Sequence, residues 1–203
     1  MTKTTEITSK LWEMANKLRG TMDASEYKNY ILPFMFYRYL SEHQDDYLRK
    51  NKLEDFYQNP EDIEEYYEDI AKSLGYVIEP QFTWTAIVDS IENHKIKASD
   101  FQDMFEAFHK HAKRNSDSEQ EFANVFFDVN LGDTRLGSGT NERAKALNDI
   151  VLMINEFDFK DESGHDILGD VYEYLIGQFA ANAGKKGGEF YTPHEVSQIL
   201  ARL

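Results

Sequence analysis

Apolar side chains recur along most of this chain at spacings of three and four residues, the period of a helix that buries one face. Leu11, Trp12, Ala15 and Leu18 mark a first amphipathic helix, with Gly20 placed to end it. Asp23 and Glu26 stand three apart, as in a capping box, and open a long helix through ASEYKNYILPFMFYRYLSEHQDDYLRK. Its apolar stripe is Ile31, Phe34, Met35, Tyr39 and Leu40, and Pro33 predicts a kink or a limit to the helix start. Further helices are predicted over residues 60–74 and 84–91. Phe101, Met104, Phe105 and Phe108 follow at i, i+3, i+4 and i+7, another core-facing helix. Ser118 and Glu121 cap a short helix ending near Phe127. After the glycine-rich stretch VNLGDTRLGSGTNERAK, a helix beginning near Thr140 carries Ala144, Leu147, Ile150, Val151 and Ile154. FDFKDESGH reads as a charged linker, and DILGDVYEYLIGQFAANAG as an apolar helix. Strand signals are few. GYVIEP is the best of them, and it is short.

The last stretch, GGEFYTPHEVSQILARL, holds a clear helix start. Thr192 can cap the first turn through its hydroxyl, Pro193 suits the first helical position, and Glu195 completes a capping box with Thr192. Val196, Ile199, Leu200 and Leu203 then recur at helical spacing. Gly184, Gly187 and Gly188 flank Lys185 and Lys186 just upstream. A glycine-rich approach to a helix N-terminus can hold an anion, because free amides and the helix dipole point the same way. An ordinary loop and cap would produce the same pattern.

Composition narrows the class. Hydrophobic residues make up 41% of the chain and aromatics 14%, enough to build a core, and only four prolines interrupt it. There is no cysteine, which excludes a disulfide framework and thiolate chemistry and fits a reducing cytoplasm. No apolar run reaches the length of a membrane span, and the N-terminal residues lack the core of a signal peptide, so a soluble cytoplasmic protein is expected. The net charge of −15 is opposite to that of a nonspecific nucleic-acid binder. Residues 41–70 alone hold eleven acids against three bases. That face should avoid DNA, and any phosphate contact must come from a local basic patch or from parts of the protein outside this chain.

The remaining candidates for chemistry are weak. Gly137–Thr140 reads GSGT, but no lysine follows, so it is a loop and helix cap rather than a phosphate loop. His109 and His111, two apart on a helix, do not share a face and cannot chelate one metal together. His43, His94, His165 and His194 have no ligand-type spacing, and the acidic run EDIEEYYED lacks the glycine turn of a calcium loop. No metal site is expected. No nucleophile triad or carboxylate pair can be argued from spacing.

Three stretches carry more. LWEMANKLRGTMDASEYKNYILPFMFYRYLSEH, LGDTRLGSGTNERAKALNDIVLMI and DILGDVYEYLIGQFAANAGKKGGEFYTPHEVSQILARL occur in that order over nearly the whole chain. Together they resemble the modification (M) subunit of type I restriction–modification systems. The resemblance implies a mainly α fold: a helical N-terminal domain over residues 1–160, then from residue 161 the opening helices of an α/β S-adenosylmethionine-dependent methyltransferase domain that continues beyond this chain. It implies an adenine-specific DNA methyltransferase, with Glu189, Phe190, Tyr191, Thr192, Pro193 and His194 matching the family's first cofactor-contacting motif. Lys185 and Lys186 are the candidates for a DNA phosphate contact. Implied partners are DNA, a specificity subunit, a second modification subunit and a restriction subunit. The D-P-x-x-G-S-G-G-like loop and the N-P-P-[FY] motif of the family are absent, so the chain as it stands contains no catalytic residue and is expected to be an inactive N-terminal part of a longer enzyme. The competing expectation is a non-catalytic helical module that binds protein partners.

Overall fold

The computed structural model describes residues 6–11, 13, 24–57, 63–116, 128–159 and 167–171, together with 119, 122, 125, 126 and 175. Among these residues the fold is mainly helical and contains no strand. A short helical stretch at residues 6–11 buries Ile7 and Leu11. Five helices follow: α1 (Ala24–Asn51), α2 (Ile63–Leu74), α3 (Trp84–Glu92), α4 (Ala98–Ala112) and α5 (Thr140–Asn155). Trp12, Ala15, Leu18, Gly20, Asp23, Ser118, Glu121 and Phe127 lie outside the described residues.

α1 is the central element, packed by α3 and α5. Pro33 lies inside this helix and does not limit its start. The proline ring removes one backbone donor there, and the helix continues through the gap with Ile31, Phe34 and Met35 buried around it. Ile31, Phe34, Met35 and Leu40 are buried as the spacing predicts. Tyr39 is not; it is half-buried and stacks on His43. The buried face runs instead through Tyr30, Phe34, Tyr37, Ser41, Gln44 and Leu48. At about 100° per residue that row leaves position 39 on the shoulder.

The helix ends are made by local chemistry. Thr83 Oγ1 accepts from the Ala86 amide at 3.3 Å to cap α3. Asp100 accepts from the Lys97 amide at 2.8 Å at the start of α4, and Glu142 accepts from the Gly139 amide at 2.6 Å at the start of α5. Gly75 ends α2 with a φ of 83°, a conformation glycine adopts without a Cβ clash.

The core is aromatic where α4 meets α1. Phe101, Met104, Phe105 and Phe108 are all buried, as the i, i+3, i+4, i+7 spacing predicts. Phe34 meets Phe101 edge-on at 5.6 Å, and Phe105 stacks on Phe126 at 4.8 Å. Each such side chain contributes about 1.5–3 kcal/mol through burial alone.

Two expectations are corrected. GYVIEP is not a strand; Tyr76, Val77 and Ile78 are buried but have no neighbouring strand among the described residues. The buried Gln44 amide takes that role, donating to the Ile78 carbonyl and accepting from the Ile78 amide, each at 2.7 Å. The front of FDFKDESGH is not a free linker either. Phe157 and Phe159 are buried, and the Ile167 amide donates to the Phe159 carbonyl at 2.8 Å. Two phenylalanines in a charged segment outweigh its solubility, because both rings find the core.

Candidate functional site

Arg38 holds the end of α5. Its guanidinium donates to the carbonyls of Ile154 at 2.7 Å and Phe157 at 2.8 Å, and to Glu42 at 2.7 Å. Those carbonyls lie at a helix C-terminus, where carbonyls have acceptor capacity to spare and a cation is also favoured by the dipole. The guanidinium lies 4.9 Å from the Phe159 ring centroid and 5.9 Å from that of Trp84. Trp84 in turn donates from Nε1 to Asn155 Oδ1 at 2.9 Å. One side chain therefore fixes how the chain leaves the helical core.

A second polar centre joins α2, α4 and the 76–79 segment. His111 is fully buried, its Nε2 lies 2.8 Å from Glu79 Oε1, and its Nδ1 accepts from Arg114 Nε at 2.8 Å. Arginine can only donate, so the ring is neutral with its proton on Nε2. Burial pushes the His111 pKa down despite the neighbouring Glu79. Arg114 also reaches Glu64 and Glu68 at 2.7 Å each, and holds the Glu64 carboxyl below its usual range by donating to it. Both glutamates are more than half exposed, so these two pairs contribute less than about 1 kcal/mol each. His109 points elsewhere: its buried Nε2 has no hydrogen-bond partner, and its ring lies 6.2 Å from Phe126. The two histidines do not converge, and no group of three potential metal ligands occurs among the described residues.

The glycine-rich loop before α5 is a pinned turn. Tyr30 donates to the Asn130 carbonyl at 2.9 Å, and Arg135 holds the Asp133 carboxyl down to about 2 by hydrogen bonds from its side chain and amide. A Cβ on Gly137 would meet Glu142 Cβ at 2.5 Å, so only glycine lets the loop return this close to α5. GSGT is thus the loop and cap that its sequence predicts.

Two clefts of opposite character open on this frame. One, of about 400 Å³, lies between α1 and the 158–159 segment and is lined by Glu42, Asp45, Asp46 and Asp158 beside Arg38 and Arg49. The other, of about 550 Å³, lies between the α3–α4 connection and the start of α5, and includes His94, Lys97, Lys145 and Asn148. The residues with predicted cofactor contact, Glu189, Phe190, Tyr191, Thr192, Pro193 and His194, lie outside the described residues, as do Lys185 and Lys186. Sequence reading missed Arg38, Gln44 and the second cleft. Only Arg38 left a signal, as a lone base on the shoulder of an apolar stripe.

The family model for the HsdM N-terminal domain matches residues 7–154, most of the chain. The chain belongs to the HsdM family of type I restriction enzyme methylase subunits. A second model, N-6 DNA Methylase, matches residues 163–203. This chain is 34% identical to the type I restriction enzyme MpnII methylase subunit of Mycoplasma pneumoniae, over 97% of its own length and 39% of that protein's. It is 26% identical to the MjaIX methylase subunit of Methanocaldococcus jannaschii, over 97% of its length and 35% of that protein's. The crystal structure of the type I restriction–modification system methyltransferase subunit from Streptococcus thermophilus is similar at a TM-score of 0.80 and 30% identity, covering 98% of this chain and 43% of that one. The chain thus spans well under half the length of these relatives. Among the described residues, no helix is long and apolar enough to cross a membrane.

Proposed function

We propose that this chain is the front part of an adenine-N6 DNA methyltransferase, with residues 1–160 as its helical domain and residues 161–203 opening its catalytic domain. The observation that carries the reading is the order of the two family matches, an HsdM N-terminal domain followed directly by an N-6 DNA methylase segment. In this reading S-adenosylmethionine, when bound, supplies a methyl group activated on a sulfonium. Glu189, Phe190, Tyr191, Thr192, Pro193 and His194 contact it, and the helix start that the sequence predicts at Thr192 receives its carboxylate. Lys185 and Lys186 contact a DNA phosphate. The helical domain clamps DNA and meets a specificity subunit, a second modification subunit and a restriction subunit in the cytoplasm. The chain alone contains neither the cofactor loop nor the motif that holds a flipped adenine, so it does not methylate DNA by itself.

The test is methyl transfer from labelled S-adenosylmethionine to adenine in DNA by the longer subunit with its specificity subunit. Tyr191→Ala is expected to weaken cofactor binding in titration by about tenfold or more, with little change in thermal melting. Equal loss of binding and stability would remove Tyr191 from the cofactor site. Absence of any transfer by the assembled complex would favour a helical protein-interaction module instead.

A further inference from the structure

We propose that α2 is latched to the helical core by Arg114 and is let go by acid: a proton on His111 turns Arg114 away, frees Glu64 and Glu68, and lets α2 open while α1, α4 and α5 stay folded. The latch does not depend on the function proposed above.

α2 does not share the main core. Its buried residues Tyr67, Ile70 and Ala71 form a separate small cluster with Leu48 of α1 and Val77. Tyr76 and Ile78, on either side of Val77, belong to the main core instead, and only the partly buried Leu74 of α2 packs on both. A helix seated on so small a cluster opens at a lower free energy than the whole fold.

Arg114 ties this helix down. Its Nη2 and Nη1 donate to Glu64 and Glu68 of α2 at 2.7 Å each, and its guanidinium stands 5.7 Å from the Tyr67 ring centroid. His111 aims it: Nδ1 accepts from Arg114 Nε at 2.8 Å, which leaves the two terminal nitrogens facing α2. The Tyr67 ring in turn covers His111, centroid to centroid at 4.5 Å. Asn115 Nδ2 to the Ala71 carbonyl at 3.1 Å and the Tyr47 hydroxyl to Ser73 at 2.9 Å also cross to α2, and neither involves a titrating group in the range considered.

A proton taken from solvent onto His111 Nδ1 replaces the lone pair with an N–H, so two donors face each other and Arg114 must turn. The groups around the ring can be weighed one by one. Glu79 Oε1 lies 2.8 Å from Nε2 and favours the charged ring, while its other oxygen accepts from Gln81 at 2.6 Å. Burial, Arg114 and Lys110 oppose that charge, and burial weighs most. On the α2 side, burial pushes the Tyr67 hydroxyl up to about 12, and Arg114 holds the Glu64 carboxyl below its usual range, so neither titrates between pH 7.5 and 5.5. Opening α2 lifts the Tyr67 ring off His111 and admits water, and the open form therefore binds the proton more tightly.

The test is amide hydrogen exchange on the full chain in low urea, corrected for the intrinsic effect of pH. Amides of Ile70 and Ala71 in α2 are compared with those of Ile150 and Val151 in α5. The α2 amides are expected to be protected at least about tenfold less than those of α5, with a weaker dependence on urea, because their opening exposes less surface. Their protection is expected to fall by about tenfold between pH 7.5 and pH 5.5, the limit for one proton on a group of pKa about 6.5 when exposed. His111→Gln removes that fall, and Arg114→Gln reduces it, whereas His109→Gln on the same helix leaves it in place. Equal protection and equal urea dependence in α2 and α5 would overturn the latch, since α2 would then open only with the whole fold. A fall that persists in full in His111→Gln would overturn the part given to His111. If that variant does not fold, a full fall in Arg114→Gln overturns it in the same way.

Discussion

His111 shows how one residue can tie stability to pH. Its Nδ1 accepts from Arg114 and its Nε2 faces Glu79, an arrangement open only to the neutral ring. A proton on Nδ1 would set two donors against each other. Lys110 and Arg114 add repulsion to the charged ring, while Glu79 alone favours it, and burial decides the balance toward neutral. With the folded pKa below the unfolded value of about 6.5, the unfolded chain binds more protons at acid pH. The contribution is therefore fully present above about pH 6.5 and is lost as pH falls toward the folded pKa. Melting temperature is expected to drop between pH 7.5 and pH 5.5. In His111→Gln the drop shrinks, and stability at pH 7.5 falls by about 1–3 kcal/mol because buried partners lose a bond. His109 is also held down by burial and leaves a residual slope in the same window. An unchanged pH profile in the variant would show that His111 is not the group responsible.

At the level of elements, the helices were legible and the segment between α2 and α3 was not. Phe101, Met104, Phe105 and Phe108 announce α4 because a 3.6-residue period survives any detail of packing. GYVIEP reads as a strand; the structure buries Tyr76, Val77 and Ile78 but forms no strand there. Its partner could not be read, because a glutamine that replaces a strand looks like any polar residue in a helix. Gln44→Leu keeps the volume but leaves the buried amide and carbonyl of Ile78 unpaired. The expected cost is about 2–4 kcal/mol in urea denaturation, with faster hydrogen exchange at the Ile78 amide. A loss below about 0.5 kcal/mol would mean that water replaces the glutamine there. Tyr39 was misplaced for a related reason: spacing gives an apolar arc, and only the neighbours of α1 decide where its edges fall.

For the whole molecule, the informative residues lie past α5. Ile167, Leu168, Val171 and Leu175 are buried in the same core as α1, α4 and α5. The front of the methylase-matched segment is thus packed on the helical part, with Arg38 fixing the exit between them. Val171→Ala is expected to lower stability by about 1–3 kcal/mol in one cooperative transition that α5 amide exchange also reports. A separate early transition that leaves α5 protected would show two independent units.

The sequence by itself determined the helical class, most helix positions, the loop and cap before Thr140, and the family, because these rest on local periodicity, short-range hydrogen bonds and ordered motifs. Tertiary structure alone decided which polar groups work at long range: Arg38 on the α5 carbonyls, Gln44 on Ile78, and His111 on Glu79. Each joins distant stretches or depends on what is buried around it. Burial and approach, rather than residue type, set what a polar side chain does.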